Sequence, residues 1–567
     1  MKGYTLLAIL LSITFCELTA QPTVPSGYVV DTIISTGSNP QPIAFAFLDP
    51  ANPSTFFVAE RASGRVRLVL NGVLQTNPVL DLPVSVTPES GLLGLVIDPN
   101  FEQNGFVYLY YSLSSTGTDT TSASTWLENR LERYYWNGTQ LVDPVILHTI
   151  PNDTHPLNTN YHFGGFMRFG PDGKLYLSVG DLNRGSFSNP RIETNTGGTA
   201  VAGGGGIYRL NPDGSIPLDN PFLSHSDPRI QKLWAYGIRN SFGMEFDPLT
   251  GKLWATENGP EVYDEVNLIE RGFNGGWRKI MGPDARDATG SWNNNTPYNA
   301  SDLIMLPNAY YGDPKFSWLT PIGVADIFFV RSARYGDDLR DQALIGDANN
   351  GALYLFPVNT QRDDFALTGN LADKVADSTA ERNLYRWSTG WGVVTDMKIG
   401  GDGYLYVCSV YTPARGIFRI RPQNPPEVIN GQVRLEGRAG IPLGVPLSIT
   451  LLQSGSPVQS INTPLDAYGR FSERVNAPGN YAVRAKAGTY LSVVVPSVSI
   501  ASQGYAYLKL NFTVNGDVNG DDVIDDADLL AVLFAFGGSG GSEDLNQDGV
   551  VDDADLLIVL FNFGASG

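Results

Sequence analysis

Two acidic stretches near the C-terminus carry the side chains whose spacing points most directly to a chemistry. Residues 517–528 place oxygen side chains at Asp517, Asn519, Asp521, Asp525 and Asp528, and residues 544–555 place them at Asp544, Asn546, Asp548, Asp552 and Asp555. These are positions 1, 3, 5, 9 and 12 of a twelve-residue calcium loop, with the backbone carbonyls of Val523 and Val550 expected at position 7. A hard cation takes oxygen ligands, so Ca2+ is the expected ion and the tail is expected to fold on it. Position 6 of such a loop needs a sharp turn and prefers Gly; Gly549 obeys and Asp522 departs. A short apolar helix is expected after each loop, over 529–536 and 556–563, closed by Gly537 and Gly564.

Elsewhere the reactive side chains are sparse. The histidines are His148, His155, His162 and His225, with no HExxH zinc pattern and no GxSxG nucleophile turn. The glycine run at 203–206 lacks the Lys and the following helix of a phosphate loop. His162 stands apart because it lies just before an apolar β-rich run, where a loop enters a strand.

The elements that must carry these residues are β-strands. From about residue 24 to 424 the chain is short β-rich runs separated by Gly, Pro, Asn and Asp, with little helical periodicity. One phrase recurs: an apolar residue, a turn of Asp with Pro, Gly or Asn, then a new apolar run, around Asp49, Asp98, Asp172, Asp247, Asp347 and Asp402. Each reads as strand, tight turn, strand. Repeated hairpins in one all-β segment predict a radially repeated fold, a six-bladed β-propeller with long loops leaving one face; two stacked sandwiches are the competing arrangement. A second texture over 427–512 alternates like strands with one wet face and predicts a small antiparallel β-sandwich acting as a spacer. Residues 515–567 form the α-helical calcium module.

Composition bounds the rest. At 567 residues the chain suits two or three domains, and 42% hydrophobic residues suffice for a core in each. A formal charge of −20 argues against a nucleic-acid partner. Residues 1–20 read as a secretory signal, with Lys2 ahead of an apolar run too short to span a membrane. A secreted, periplasmic or cell-surface chain with no transmembrane segment after signal cleavage is expected. Cys408 is the one cysteine besides Cys16, so the mature chain forms no internal disulfide.

Three resemblances follow from these residues. The phrase at 160–181, with 91–101, 236–248, 257–260, 264–270 and 272–277, resembles the soluble pyrroloquinoline-quinone (PQQ) glucose and sorbosone dehydrogenases. That resemblance implies a six-bladed propeller oxidising the anomeric carbon of an aldose or sugar end. His162 matches the base, Arg239 the residue that polarises the quinone oxygen, and Asn240 its cofactor-binding neighbour. The carbonyls of Gly259 and Pro260 match ligands of the cofactor's calcium, and Asp264 a second calcium site. Glu89 stands where the family usually has a neutral amide at the cofactor. The Lys and the Arg pair that many members aim at the cofactor's carboxylates have no counterpart in 346–351 or 389–396. That gap keeps open a non-catalytic propeller that binds a glycan or a protein. Residues 427–512 are similar to carboxypeptidase-regulatory-like modules. The duplicated loops resemble dockerins, implying a cohesin-like or cell-surface protein partner. The electron acceptor has no signature in the chain.

Overall fold

The computed structural model describes residues 21–35, 41–152, 161–183, 187–198, 200–286, 289–411 and 413–567. The expected signal segment, residues 1–20, lies outside them. Residues 42–422 fold into six sheets that begin at Pro42–Phe47, Leu92–Ile97, Met167–Phe169, Gly243–Phe246, Val324–Phe329 and Val394–Ile399. Each of these first strands pairs antiparallel with the strand that follows it. Each also touches the first strand of the next sheet, and the sixth touches the first again, so the six form a ring. They are apolar and mostly buried because a strand at the centre of a ring has protein on both faces. Strand Tyr28–Ser35 closes the circle by pairing antiparallel with Gly416–Pro422 in the sixth sheet.

The recurring Asp has a local cause. Asp98, Asp172, Asp247 and Asp402 each accept the amide two residues on, from Asn100, Lys174, Leu249 and Tyr404 at 2.8–3.1 Å. This is an Asx turn, which fixes a tight reversal between the first and second strands. In three of them a Tyr of the second strand donates to the other carboxylate oxygen: Tyr108 to Asp98, Tyr176 to Asp172 and Tyr406 to Asp402. The phrase at Asp347 differs from its expected place. It joins the second and third strands of the fifth sheet, so it sits at the opposite end of the ring, beside the first strands' N-termini.

The segment from 428 to 512 forms two sheets around one apolar core that includes Ile429, Leu447, Ile449, Phe471, Val483 and Leu508. The expectation of antiparallel pairing fails once: Val428–Leu435 and Tyr505–Phe512 run parallel. The last strand of the unit returns beside its first after crossing from the other sheet, which brings the two in with the same direction. This unit seals the turn end of the ring. Asn430 donates to Gly401 O (3.0 Å), Tyr468 Oη to Phe169 O (3.2 Å), and the Ala467 amide to Pro248 O (2.7 Å).

The tail holds two helices, Asp526–Ala535 and Asp553–Phe561. They begin three residues ahead of the expected 529 and 556 because Asp528 and Asp555 close capping boxes with the N-cap residues Asp525 and Asp552. Asp522 adopts a left-handed φ of 72°, as Gly549 does at 101°, so the position-6 turn forms in both loops; Asp is among the few residues that tolerate it. Within each loop the first Asp accepts the position-6 amide: Asp522 N to Asp517 (2.8 Å) and Gly549 N to Asp544 (3.0 Å). Among the described residues no helix is long and apolar enough to cross a membrane.

Candidate active site

The loops entering the first strands converge on a cleft of ≈ 470 Å³ at the ring end away from the two-sheet unit. Glu89, His162, Arg239, Asn240, Gly259 and Asp264 all line it, although they belong to the second, third and fourth sheets. Pro260 follows Gly259 in the same turn and is not among the lining side chains. The loop residues Asp517, Asn519, Asp521, Val523, Asp525, Asp528, Asp544, Asn546, Asp548, Val550, Asp552 and Asp555 belong to the separate tail. Of the other basic residues on neighbouring loops, neither Arg386 nor Arg415 lines the cleft.

His162 is fixed from three sides. Its φ is 64°, a left-handed conformation that costs a non-glycine residue energy and persists only where neighbours hold it. Its amide donates to Glu89 Oε2 (2.7 Å), its carbonyl accepts from Leu182 N (3.2 Å), and Nδ1 bonds Asp181 Oδ1 (2.6 Å). A Cβ on Gly180 would lie 2.3 Å from that carbonyl, so only glycine lets the next strand come so close. The Asp181 bond places the ring proton on Nδ1 and leaves Nε2 as the acceptor toward the cleft.

Asp181 is 3% exposed and also accepts Trp277 Nε1 (2.9 Å). Burial alone would push its pKa up. The His162 charge and hydrogen bond, the Arg239 charge and the Trp277 donor outweigh burial and hold it down at about 2. It is ionised at any working pH. Sequence reasoning gave Asp181 and Trp277 no role, though both lie inside the phrases that stood out; Asp181 follows the second strand of the third sheet, Leu175–Val179, whose first strand His162 precedes.

Arg239 stacks over the Trp277 ring at 5.5 Å and donates Nη1 to Asn258 O (2.9 Å). Its buried Nε has no partner, nor has the buried Oδ1 of Asn240. Burial lowers the Arg239 pKa, against the raising charges of Asp181, Glu89, Glu257 and Asp264. Glu257 accepts the Arg239 amide (2.6 Å) and lies opposite Glu265 across the strand pair. Burial raises both carboxyls, Glu265 to about 7, and Glu265 raises Glu257 further. Asp264 accepts four amides, from Gly259, Ile322, Gly323 and Val324 at 2.6–3.2 Å. It clamps the Gly259 turn to the loop of the fifth sheet. Asn240 Nδ2 donates to Glu89 Oε2 (3.1 Å), so one carboxylate ties the Asn240 and His162 loops together.

A bound PQQ would need oxygen ligands for its calcium, donors at its quinone oxygens and cations at its carboxylates. Arg239 and Asn240, which line the cleft and each hold a buried atom without a partner, and the turn at Gly259 fit the calcium and quinone end. At the carboxylate end the lining offers amides of Asn183, Asn258 and Asn349, with Arg239 as the one lining cation among the described residues.

The model for the family described as glucose / sorbosone dehydrogenase matches residues 39–415. Quinoprotein glucose dehydrogenase B of Acinetobacter calcoaceticus is 31% identical over 244 residues, covering 40% of this chain and 48% of its own. Aldose sugar dehydrogenase YliI of Escherichia coli is 31% identical over 209 residues, covering 36% and 52%. The chain thus spans about half the length of these curated relatives. The solved soluble aldose sugar dehydrogenase of Escherichia coli superposes with a TM-score of 0.51 at 21% identity, covering 70% of this chain and 100% of that one.

Proposed function

The chain belongs to the glucose/sorbosone dehydrogenase family, and from that premise we propose that it is an exported quinoprotein that oxidises the anomeric carbon of an aldose or sugar end to a lactone. The six sheets are read as the blades of a six-bladed propeller with the reaction at its open end. The observation that carries the reading is the His162–Asp181 pair, a buried carboxylate orienting an imidazole whose free nitrogen faces a polar cleft.

His162 Nε2 takes the proton of the anomeric hydroxyl, an imidazole being suited to proton transfer near neutral pH. Asp181 fixes the tautomer and stabilises the imidazolium that forms. When bound, PQQ supplies the two-electron acceptor for the hydride leaving the anomeric carbon. Arg239 and Asn240 hold its quinone end, the Arg239 guanidinium sitting where negative charge would build. The carbonyls of Gly259 and Pro260 hold its calcium, and Asp264 keeps their turn in place. Glu89 sets the backbone of the base. Glu89→Ala frees the amides of His162 and Asn240, and kcat is expected to fall roughly tenfold with little change in melting temperature, because the base loses its alignment rather than its chemistry.

The duplicated tail loops are read as a dockerin-like calcium module that fixes the protein to a surface partner, with residues 427–512 as the spacer. A second reading rests on the charge of the cleft: Arg239 is its one lining cation beside Glu89 and Asp264, a poor match to a tricarboxylate. On that reading the propeller binds a glycan or a protein without turnover. The test is titration of the purified chain with PQQ and calcium, followed by dye reduction with a panel of aldoses. Saturable cofactor binding with sugar-dependent turnover supports the enzyme. No binding at micromolar cofactor removes it and leaves the binder.

A further inference from the structure

A second cleft lies at the other end of the ring, on the seam with the two-sheet unit. Ser26, Tyr28, Arg334, Asp338, Asn424 and Arg474 line it. Arg334 is 2% exposed, yet its guanidinium meets only neutral carbonyls: Nε donates to Asp402 O (2.9 Å), and Nη1 to Gln503 O (3.1 Å) and Pro426 O. Its cation stands 4.6 Å over the Tyr404 ring. Arg474 is exposed on the other side of the seam, and it too donates only to carbonyls, Ala333 O and Tyr335 O, each at 3.1 Å.

Of the other buried arginines, Arg61 also meets only neutral groups, Gln41, Tyr411 and the carbonyls of Thr87, Pro88 and Ser90, away from this cleft, and the remaining two are paired. Arg168 meets Glu245 and Asp396, and Arg209 meets Asp172 and Asp219. Among the described residues neither Arg334 nor Arg474 has a carboxylate within ion-pair distance. A buried cation solvated only by carbonyl dipoles carries an unrepaid desolvation cost, and burial draws the Arg334 pKa down. An anion entering the cleft would meet the donors that the carbonyls leave over, Nη2 of Arg334 and Nη1 of Arg474, as charge-assisted hydrogen bonds.

The remaining lining is not that of a bare anion site. Asp338 accepts the Tyr28 hydroxyl (3.2 Å) and adds a negative charge and free acceptor capacity. Asn424 and Ser26 add amide and hydroxyl groups. Tyr28 presents a ring braced edge-on by Trp387 at 5.4 Å. Acceptors and an aromatic ring beside a cation pair match a ligand that carries hydroxyls as well as a carboxylate.

We propose that this seam cleft binds an acidic saccharide, with the carboxylate of a uronate residue on Arg474 and Arg334 and its hydroxyls on Asp338, Asn424 and Ser26. Because the cleft lies at the end of the ring opposite His162, its occupant is a polymer that holds the protein in place, not the sugar that reacts. The claim stands apart from the redox reading, since it needs neither cofactor nor turnover.

The test is calorimetric titration of the full chain, in calcium, with glucuronate, glucose and sulfate, beside Arg474→Gln and Asp338→Asn. Saturable glucuronate binding is expected, weakened about tenfold by Arg474→Gln and about threefold by Asp338→Asn, with glucose and sulfate each at least about tenfold weaker. Dye-linked turnover, where present, is unchanged in both variants, which separates this cleft from the one at His162. If Arg474→Gln fails to fold, Asp338→Asn decides alone, since that side chain touches only Tyr28. No glucuronate heat at millimolar concentration, or equal affinity in wild type and Asp338→Asn, overturns the site. Sulfate binding as tightly as glucuronate overturns the saccharide assignment.

Discussion

Replacing Asp181 with Asn is expected to lower sugar-dependent turnover by about three orders of magnitude, close to the effect of His162→Ala, because both remove the oriented base. The amide keeps the volume and can still meet the imidazole. But its NH2 can now donate to Nδ1, which moves the ring proton to Nε2 and blocks the nitrogen that faces the cleft. The charge that stabilises the imidazolium goes as well. A merely structural role would not give this pattern: titration with PQQ should show near-native affinity in both variants while kcat collapses. The same pair gives an acid-limb prediction. The Asp181 pKa is lowered from 3.8 to about 2, so the folded state gains stability above the unfolded value and loses it as pH falls through about 2. At 1.4 kcal/mol per pKa unit the buried pair contributes about 2 kcal/mol. Unfolding midpoints taken between pH 5 and pH 2 should fall less steeply in Asp181→Asn. Equal slopes would mean that the pair adds nothing to the fold.

Chelating calcium is expected to release residues 515–567 to protease while the ring and the two-sheet unit stay intact. The tail core is small: Ile524, Val532, Leu545, Val551 and Val559, with Leu491 from the two-sheet unit. No Lys or Arg follows Lys509, so emptied loops set carboxylates against one another. With calcium about a hundredfold above its dissociation constant, each loop would gain about 3 kcal/mol, comparable to what so small a core supplies. The two loops should not respond alike. Lys486 pairs with Asp517, and Arg484 with Asp522, so the first loop is partly neutralised from outside. Among the described residues the second has no ion pair from outside; Arg438 reaches Gln547 and no carboxylate of the loop within ion-pair distance. Calcium should bind the second loop more tightly, and Lys486→Met should raise the affinity of the first severalfold. Two equal sites in wild type, or a tail as protease-resistant in chelator as in calcium, would remove this account.

What the chain discloses by itself is local. The tight turns were legible because the Asp and the amide it accepts lie two residues apart, and the duplicated acidic loops because each copy repeats within twelve residues. His162 stood out because it precedes a β-rich run, and Arg239 and Asn240 through the resemblance of their phrase; all three line one cleft. The phrase at Asp347 has Ala after the Asp where three others have Pro, and it makes a different turn, its carboxylate accepting the amides of Asn350 and Ala352. Contacts between distant segments left no trace. Glu89 meets the amide of His162 across 73 residues, and Trp277 meets Asp181 across 96. The parallel pair was hidden for a related reason: alternation reveals which face of a strand is wet but not the direction of its neighbour. The seam arginines were equally silent, because a buried Arg334 bonded only to carbonyls beside a cleft depends on the whole fold.

The strand Tyr28–Ser35, which completes the sixth sheet, sets the order of events when this protein is made. Its partner Gly416–Pro422 leaves the ribosome nearly 390 residues later, roughly half a minute at ordinary synthesis rates. Until then the strand is an unpaired edge, and closing a chain loop of that length costs about 5 kcal/mol of entropy before any pairing repays it. Folding should therefore be slow and dominated by non-local contacts, with ring closure late. A nascent chain stopped before residue 416 has no partner for its first strand, so partial products expose a sticky edge that chaperones or proteases can recognise.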